Sequence, residues 1–368
     1  MKILLINTVP TEKNGITNVM FNYLMGINTE GMQLDFLSIN EPEQMYVTAV
    51  EKKRGKLYVL PRLNGTLAYW KGLRRLIKTN KYDAVHVHGN SHTLAIEMSA
   101  AWTAGCKVRI VHSHNTTCKY VKVHKLLTIP FNMLYTHGLA CGEEAGKWMF
   151  GKKPFTVMNN GVDTKKYAFR PSVREEIRKQ NNWDGCKVIG HVGSMIEAKN
   201  HKFILEVFKA LYQRNHSVRL LLIGDGPLRP EVEAEVAYQG LKSAVTMTGN
   251  INNVDEYLNA MDLVLMPSLY EGLPLTLIEQ QANGLKCVVA DTITCEADKT
   301  KSLTFLSLSA PVSDWADTIL DILKDEKGDR LNRSHSNIKK IADCGYSIQE
   351  EARKLNAYYL NAANRKKV

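Results

Sequence analysis

Short apolar runs alternate with amphipathic stretches along the whole chain, and this alternation constrains the fold more than any other feature of the sequence. The apolar runs have the length of buried strands, and the amphipathic stretches have the length of helices. Repeated strand–helix units of this kind predict parallel sheets covered by helices. The expected strands are KILLIN, LDFLSI, KLYVLP, AVHVH, VRIVHS, GLACG and FTVMNN, then VIGHVGS, LLLIGDG, VTMTG, LVLMPS, CVVAD and LTFLSL.

Chain length and one polar segment predict two domains. A chain of 368 residues is longer than a single hydrophobic core usually supports. The polar segment NNGVDTKKYAFRPS interrupts the strand–helix pattern near the middle. We therefore expect an α/β protein with two doubly wound, Rossmann-like domains over residues 1–168 and 169–346. A helix within 347–368 is expected to pack back on the first domain.

Three features of the sequence favour a cytoplasmic protein. The start MKILLINTVP lacks the long apolar core and cleavage site of a signal peptide. No run of about 18 uncharged apolar residues predicts a spanning helix. The seven cysteines are scattered, with no CxxC pair, which is typical of free thiols and not of a disulfide framework or zinc site.

The excess positive charge lies entirely in the first half of the chain. Residues 1–168 hold 22 Lys and Arg against 11 Asp and Glu, whereas residues 169–368 hold 26 of each. A one-sided positive field attracts an anionic partner, such as a phospholipid surface, a lipid pyrophosphate or nucleic acid. Solubility without a specific partner is the plainer interpretation.

Polar residues cluster where the predicted strands end, which is where open parallel sheets bind ligands. The loop after the first strand reaches Gly15, and a glycine there lets backbone amides approach a phosphate, although a tight turn explains it too. Two strands end in histidine pairs, His86 with His88 and His112 with His114. No acidic or cysteine partner stands at ligand spacing, so contact of His114 with a sugar or phosphate is favoured over a metal site. His86 is interpreted as structural.

The second half carries a sharper pattern. In VGSMIEAKNH a strand ends at Gly193 and Lys199 precedes the next helix, where a lysine can neutralise a diphosphate. In LYEGLPLTLIEQQANG, Glu271 lies in a loop and Glu279 about one turn into the next helix. The carboxylate of Glu279 can accept two ribose hydroxyl bonds, and Glu271 would face the donor sugar. Backbone N–H groups for a leaving phosphate are expected from Gly272, Leu273, Pro274 and Leu275.

These segments, taken together with LLLIGDGPL, NNGVD, HSHNTT and ACGEEAGKWMFG, form an ordered set that covers nearly the whole chain. The set resembles the retaining GT-B glycosyltransferases of family 4, most closely their bacterial capsule and exopolysaccharide branch. The resemblance implies a GT-B architecture of two Rossmann-like domains facing a cleft. It also implies that the first domain binds the acceptor and the second binds a nucleotide sugar.

The resemblance assigns roles to individual residues. Glu279 matches the glutamate that holds the nucleotide ribose, Glu271 the one near the donor sugar, and Lys199 the lysine on the diphosphate. His114 matches the histidine beside the transferred sugar, so Glu271 and His114 are the catalytic candidates. The segment Gly249–Val254 matches the backbone strip that contacts the base. The other donor-binding candidates are Gly15, Gly193, Ser194, Asn250, Val254, Gly272, Leu273, Pro274 and Leu275.

Two positions depart from the family pattern. Ser194 stands where the family usually has an arginine on the phosphates, and losing such a contact removes roughly 1.5–3 kcal/mol. Either another cation substitutes for it or the donor is held differently. Asn14 replaces the first glycine of the N-terminal loop, which is a milder change because the backbone donor survives.

A basic strip lies beside an apolar one in CKYVKVHKLL and the residues after it. Lys119, Lys122 and Lys125 recur every three residues, and Leu126, Leu127, Ile129, Phe131, Met133 and Leu134 follow. If helical, the segment is typical of interfacial helices. We expect the first domain to touch an anionic membrane surface, where a lipid-linked saccharide would wait; a core helix with one solvated face is the plainer alternative.

The sequence therefore predicts a retaining transferase that moves a sugar from a nucleotide-diphosphate donor, UDP favoured, to a glycan or lipid-linked saccharide in surface polysaccharide synthesis. The resemblance implies that no metal or other cofactor is needed, and no nucleic-acid partner is expected. One alternative is a GT-B sugar-nucleotide epimerase, against which the two spaced glutamates argue. The other is a non-catalytic nucleotide-sugar-binding partner, which only Ser194 favours.

Overall fold

A computed structural model describes residues 1–62, 65–324 and 329–364, and the chain forms two compact units. Unit 1 comprises Met1–Gly161 together with the chain from Gly345 onward, and unit 2 comprises Val162–Cys344. The chain therefore enters unit 2 before the boundary expected after residue 168, and it returns to unit 1 close to the boundary expected after residue 346.

Unit 1 is built on a parallel seven-stranded sheet. The strands lie in the order β3-β2-β1-β4-β5-β6-β7, and all neighbouring pairs are parallel. They are β1 Lys2–Asn7, β2 Gln33–Ser38, β3 Leu57–Val59, β4 Ala84–His88, β5 Val108–Ser113, β6 His137–Ala140 and β7 Thr156–Val157. The helices are α1 Gly15–Gly26, α2 Gln44–Lys52, α3 Thr66–Asn80, α4 Ala95–Thr103, α5 Val121–Leu126, α6 Thr128–Leu134 and α7 Glu143–Phe150.

Unit 2 repeats this plan with six parallel strands in the order β10-β9-β8-β11-β12-β13. The strands are β8 Lys187–Val192, β9 Val218–Ile223, β10 Val245–Gly249, β11 Leu263–Met266, β12 Lys286–Ala290 and β13 Leu303–Leu306. The helices are α8 Pro171–Gln180, α9 His201–Arg214, α10 Arg229–Tyr238, α11 Val254–Ala260, α12 Leu275–Ala282, α13 Val312–Lys324 and α14 Arg330–Asp343. The last helix of the chain, α15 Ile348–Asn364, belongs to unit 1.

Apolar side chains fill both faces of each sheet. In unit 2, α9 and α13 cover one face through residues such as Phe208 and Trp315, and α11 and α12 cover the other through Leu258 and Leu277. In unit 1, α3, α4, α6 and α7 cover one face. The central strands are thus buried on both sides, which explains their continuous apolar runs.

Helix α15 closes the remaining face of the unit 1 sheet. Its Tyr359 is buried, and the phenol oxygen lies 2.6 Å from Nδ1 of His86 on β4. Its Glu351 accepts a hydrogen bond of 3.0 Å from the amide of Asn159. A Cβ on Gly26 of α1 would lie 3.1 Å from the Cβ of Ala352, so the two helices pack closely at this glycine. Unit 1 therefore needs segments from both ends of the chain.

The strand order reverses once in each sheet, between β1 and β4 and between β8 and β11. Connections on either side of such a switch point run to opposite faces, and a crevice opens beyond the carboxyl ends of the two strands. The crevice of unit 2 is bounded by the loops that follow β8 and β11, and that of unit 1 by the loops that follow β1 and β4. The two loops of unit 2 contain seven of the thirteen site residues selected from the sequence, whereas His114 follows β5 and Asn250 follows β10.

The prediction of an α/β protein with two doubly wound sheets is confirmed. The segment FTVMNN forms only the two-residue strand Thr156–Val157, because β7 is the edge of the sheet and pairs with β6 alone. A 3-10 turn, His92–Leu94, leads into α4. Within the described ranges, we find no helix with the length and apolar character needed to cross a bilayer.

Candidate functional site

The two loops at the unit 2 switch point are tied directly to each other. The amide of Leu269, after β11, donates to the carbonyl of Ala198, after β8, at 2.8 Å. The side-chain amide of Asn200 donates to the carbonyl of Pro267 at 3.1 Å. Asn200 adopts a left-handed backbone conformation with φ of 56°, which asparagine tolerates better than most residues. Residues from both loops are therefore held at one place.

An ion pair joins Lys199 and Glu271 across this switch point. The ammonium of Lys199 contacts Oε1 of Glu271, and the two side chains are only 15% and 14% exposed. The sequence assigned these residues to the diphosphate and to the donor sugar, and the structure brings them into contact. A diphosphate that binds the Lys199 ammonium would compete with Glu271 for that ammonium. The carboxylate of Glu271 would then be free to accept a hydrogen bond from a neighbouring hydroxyl.

Gly193 makes room for the stem of Lys199. A Cβ at this position would lie 3.3 Å from both Cδ and Cε of Lys199, and 3.0 Å from Nε2 of the buried His191. Such approaches are tighter than most side chains tolerate, so the lysine lies flat on the backbone because the residue is glycine. Burial lowers the pKa of His191 to about 3, and Lys199 adds to that effect, so this imidazole is neutral.

Ser194 is exposed in the same loop, and the hydroxyl replaces a cation that the family usually has there. Arg229, at the start of α10, was not among the residues predicted from the sequence. It forms ion pairs with Asp225 at 3.0 Å and with Glu233 at 2.7 Å. Its Nη1 lies 2.9 Å from where a Cβ on Gly249 would stand. Arg229 is thus next to the start of the strip expected to contact a base.

That strip begins with a backbone conformation that requires glycine. Gly249 ends β10 with φ of 68°, a region that residues with a Cβ rarely adopt. Its carbonyl accepts a hydrogen bond of 3.0 Å from the amide of Gly224 in the loop after β9. Asn250 is exposed beyond it, and Val254 is the first residue of α11.

The N-terminus of α12 has no side-chain cap. Pro274 occupies the N-cap position and has no side-chain group that could accept a hydrogen bond from the first amides of the helix. Free amides at a helix N-terminus favour an anion. Pro274 has no amide hydrogen, so the prediction that its backbone N–H would bind the leaving phosphate is wrong. The remaining candidates for donating a backbone N–H are Gly272, Leu273 and Leu275. A Cβ on Gly272 would meet no atom within 4 Å.

Glu279 lies in α12 with a partner that the sequence did not indicate. Burial raises the pKa of Glu279 to about 7, although a hydrogen bond from Tyr167 and the charge of Lys166 oppose that rise. Tyr167 lies in the polar segment that was interpreted as a domain boundary. Lys166 and Arg170 also bind Asp255, at 3.6 and 2.8 Å. Glu279 is thus surrounded by a group of residues, Tyr167, Lys166 and Asp255, that differs from the Lys199–Glu271 pair.

In unit 1, the loop after β1 ends in a capped helix. The side chain of Asn14 accepts a hydrogen bond of 3.0 Å from the amide of Thr17, which makes Asn14 the N-cap of α1. Asparagine is among the best N-cap residues, and this explains physically why it can replace a glycine here. Gly15 follows as the first helical residue, and a Cβ there would meet no atom within 4 Å.

The four histidines at the ends of β4 and β5 form one stack. Nδ1 of His88 lies 2.8 Å from Nε2 of His114, and Nδ1 of His114 lies 3.4 Å from the side-chain oxygen of Asn160. The rings of His86 and His112 are parallel within 8°. Burial lowers the pKa of His114 to about 4 and that of His86 to about 3, so both are neutral at physiological pH. His88 and Asn160 orient His114, which sequence analysis did not foresee.

Three of these histidines lie close enough together to be considered as metal ligands. Nitrogen atoms of His86, His88 and His112 lie within 4.8 Å of one another. Nδ1 of His86 already contacts the phenol of Tyr359, and Nδ1 of His88 contacts Nε2 of His114. Among the described residues, no carboxylate or thiol joins the three imidazoles. That the chemistry needs no metal stays a prediction.

Comparison with known proteins gives a consistent result. A family model described as "Glycosyl transferases group 1" matches residues 186–325. The putative glycosyltransferase EpsF of Bacillus subtilis (strain 168) is 34% identical over 324 residues, which are 84% of each chain. The UDP-Gal:alpha-D-GlcNAc-diphosphoundecaprenol alpha-1,3-galactosyltransferase of Escherichia coli is 33% identical over 242 residues, 60% of each chain.

Solved structures give the same result for the fold. The crystal structure of Anabaena Alr3699/HepE in complex with UDP-glucose superposes with a TM-score of 0.78 and 16% identity, over 98% of this chain and 100% of that one. The fold is thus shared with a glycosyltransferase-like architecture of two Rossmann-like domains. Because the identity with EpsF extends over most of both chains, this protein belongs to the group 1 glycosyl transferases and is a glycosyltransferase.

Proposed function

We propose that this glycosyltransferase moves a hexose or N-acetylhexosamine from a UDP-sugar to a glycan or lipid-linked saccharide, with retention of anomeric configuration. The observation that carries the proposal is the Lys199–Glu271 ion pair at the unit 2 switch point, beside the uncapped N-terminus of α12. A cation, free amides and a releasable carboxylate are what a sugar diphosphate requires of a protein that cleaves its sugar–phosphate bond.

In this proposal the nucleoside diphosphate of the donor is bound by unit 2 residues. Lys199 neutralises the diphosphate, and the amides of Gly272, Leu273 and Leu275 stabilise the charge that grows on the leaving phosphate. The carboxylate of Glu279 accepts the two ribose hydroxyls, with Tyr167 fixing its position. The backbone from Gly249 to Val254 contacts the base.

Two relatives support UDP as the nucleotide. The Escherichia coli relative is named for UDP-Gal, and the structure of Anabaena HepE contains UDP-glucose. The former is also named for an acceptor with a diphospho-polyprenol, which supports a lipid-linked saccharide as the acceptor of this chain. The Staphylococcus aureus relative CapH, 23% identical over 342 residues, is named for capsular polysaccharide biosynthesis, which supports a role in a surface polysaccharide.

The proposed reaction balances without a metal. The acceptor hydroxyl attacks the anomeric carbon from the face that the phosphate leaves, the bond between that carbon and the phosphate oxygen breaks, and the proton passes to the leaving phosphate. Glu271 holds hydroxyls of the donor sugar once the diphosphate has released it from Lys199. His114 would contact the transferred sugar as a neutral imidazole, because its pKa is about 4.

Unit 1 has a surface that suits a membrane. Leu126, Ile129 and Met133 are 78%, 74% and 76% exposed on α5–α6 and the turn between them. Lys119, Lys122 and Lys125 accompany them along the sequence. Exposed apolar side chains beside lysines favour binding to an anionic lipid surface. We propose that the protein is cytoplasmic and binds the membrane peripherally through this surface.

Donor turnover tests the proposed reaction. The purified protein is given a panel of sugar nucleotides, with and without saccharide acceptors, and UDP release and products are measured. Acceptor-dependent transfer with retained configuration is expected. A changed sugar nucleotide without an acceptor would instead indicate an epimerase, and tight binding without turnover on any acceptor would indicate the binding protein that Ser194 favours.

Flotation with liposomes tests the membrane proposal independently. The protein should float with vesicles of anionic lipid and remain behind with neutral vesicles. Replacing Leu126 and Ile129 by serine should reduce flotation, because it removes exposed apolar side chains from this surface. The fold should be preserved, because neither side chain lies in the core. Equal failure of the unmodified protein to bind either kind of vesicle would contradict this part of the proposal.

A further inference from the structure

A pocket of about 530 Å³ lies at the unit 1 switch point. It is formed by the loops after β1, β3, β4 and β5, and its walls include Thr8, Arg62, Asn90, Asn115 and Lys119. The reversal of strand order between β1 and β4 creates this crevice, just as the reversal in unit 2 creates the Lys199–Glu271 site. The catalytic roles discussed above do not use this pocket.

The pocket lining favours an anion. Arg62 and Lys119 are cationic, and none of the described lining residues is acidic. Arg62 is fixed from beneath by Glu97, which is fully buried and contacts Nη2, while 37% of the arginine side chain remains exposed. The ring of Tyr69 lies 4.8 Å from the guanidinium carbon and supports it. A guanidinium held in this way is pre-oriented for phosphate oxygens.

Neutral hydrogen-bonding groups connect the pocket to the histidine stack. The side-chain oxygen of Asn90 accepts a hydrogen bond of 2.8 Å from the amide of His114. The hydroxyl of Thr8 donates to the carbonyl of His88 at 2.7 Å. Hydroxyl and amide side chains in such a wall suit the hydroxyls of a saccharide. One end of the pocket therefore borders the residue proposed to contact the transferred sugar.

The pocket wall leads along the chain into the exposed apolar residues of α5–α6. Lys119 is followed directly by Tyr120, which is 61% exposed, and then by α5 with the exposed Leu126. Unit 1 thus offers neutral polar groups beside the histidines, cations in the pocket wall, and exposed apolar side chains on the segment that follows Lys119. A saccharide joined through a diphosphate to a lipid matches these three kinds of chemistry.

We propose that this pocket binds the diphosphate of a lipid-linked saccharide acceptor, with Lys119 and the anchored Arg62 as its cations. This proposal rests on the proposed function, which makes the lipid-linked saccharide the acceptor of the transferred sugar. It assigns a substrate class, a diphosphate-linked glycolipid, to residues that neither the family motifs nor the relatives indicate.

Direct binding tests the inference without donor turnover. Three probes are titrated by calorimetry in the presence of excess UDP, which fills the donor site. They are N-acetylglucosaminyl diphosphate bearing an alkyl chain, the uncharged alkyl N-acetylglucosaminide with the same chain, and inorganic pyrophosphate. Charge-assisted hydrogen bonds are among the stronger ones in proteins, so the diphosphate probe should bind about tenfold or more tightly than the uncharged one.

Two variants and a matched control locate the contact. Lys119→Glu should remove the preference for the diphosphate probe. Lys107→Glu should keep it, because Lys107 is also exposed but precedes β5 at the opposite end of the strand. Arg62→Gln is made together with Glu97→Gln, so that no buried carboxylate is left unpaired, and the double variant should weaken the diphosphate probe alone.

Several outcomes would overturn the inference. They are equal binding of the charged and uncharged probes, a preference that survives both Lys119→Glu and the double variant, and a preference lost only in Lys199→Ala. Pyrophosphate that binds as tightly as the glycolipid probe would overturn the assigned substrate class. Probe binding in a protein that releases no UDP from any sugar nucleotide would leave this inference standing while the proposed function fails.

Discussion

The two units share an architecture and differ in the chemistry at the same place. Both have parallel sheets that reverse strand order once, and both open a crevice at that reversal. In unit 2 the crevice contains the Lys199–Glu271 ion pair, whereas in unit 1 it borders neutral, stacked histidines and a pocket with two cations. The topology of the sheet decides where a ligand binds, and the few residues after each strand decide which ligand.

The charge of the chain follows the same division. Residues 1–161 and 345–368 hold 25 Lys and Arg against 12 Asp and Glu, a net charge of +13, whereas residues 162–344 hold 23 against 25, a net charge of −2. Unit 2 balances its charges in pairs, such as Arg174 and Arg178 with the buried Asp262. An unbalanced unit 1 is suited to a large anionic surface or substrate, and a balanced unit 2 to one small anion held by specific contacts.

The comparison is tested most strongly at Glu271. If this carboxylate serves the reacting sugar, Glu271→Gln should lower kcat by about a hundredfold, an effect typical of a group that acts in the transition state. The affinity for UDP, measured by calorimetry, should change less than kcat. A loss of UDP affinity as large as the loss of kcat would mean that Glu271 only builds the donor site.

The next largest effect is expected at Lys199. Lys199→Ala should weaken UDP binding about thirtyfold, because it removes a charge-assisted contact to the diphosphate worth about 1.5–3 kcal/mol. Lys202→Ala is the matched control, since Lys202 is exposed on the neighbouring α9. Melting of both variants without UDP shows whether an unpaired Glu271 destabilises the fold. Unaltered UDP binding would assign the diphosphate to another cation, of which Arg229 is a candidate.

A pH profile tests Glu279. With a pKa of about 7, its carboxyl is mostly protonated at pH 6 and mostly ionised at pH 8. Only the ionised form accepts both ribose hydroxyls, so UDP affinity should rise between these values by up to about tenfold. Glu279→Gln should bind UDP weakly, and its affinity should depend less on pH. The pH dependence that remains in this variant measures the contribution from ionisation of UDP itself. Parallel profiles for the two proteins would exclude this role.

The same raised pKa has a consequence for stability. Because the folded pKa lies above the ordinary value, the contribution of this carboxyl is greatest in acid and is lost as pH rises through about 7. Glu279→Gln should therefore raise the Tm of the ligand-free protein at pH 8 by about 2 °C. The ionised form of Glu279 that would bind ribose is therefore also the form that lowers the stability of the fold.

The smallest effect is expected in unit 1, at His112. Burial holds the pKa of His112 well below its ordinary value, and the Met158 backbone opposes that shift only in part. The stability that this neutral imidazole provides is present above the unfolded pKa of about 6.5 and is lost as pH falls below it. His112→Phe should have the same Tm as the unmodified protein near pH 8 and a higher Tm at pH 5. Equal acid sensitivity of both proteins would contradict a neutral stack.

Much of the fold and part of the site follow from the sequence. The strand–helix alternation is set by local periodicity, and the switch point by strand order, so Lys199 and Glu271 were predicted to serve one ligand. Partners such as Tyr167 for Glu279, or Glu97 for Arg62, are contacts between distant segments that no local pattern records. Tyr167 was hidden further because polar composition made its segment resemble a linker.

The return of the chain to unit 1 determines the order in which the protein can fold. Unit 2 is continuous from Val162 to Cys344, whereas the sheet face beside His86 stays uncovered until Tyr359 has been synthesised. On the ribosome, domains usually complete in the order in which they are made. Here the unit that starts first must finish last, so its apolar face is exposed throughout translation of the other.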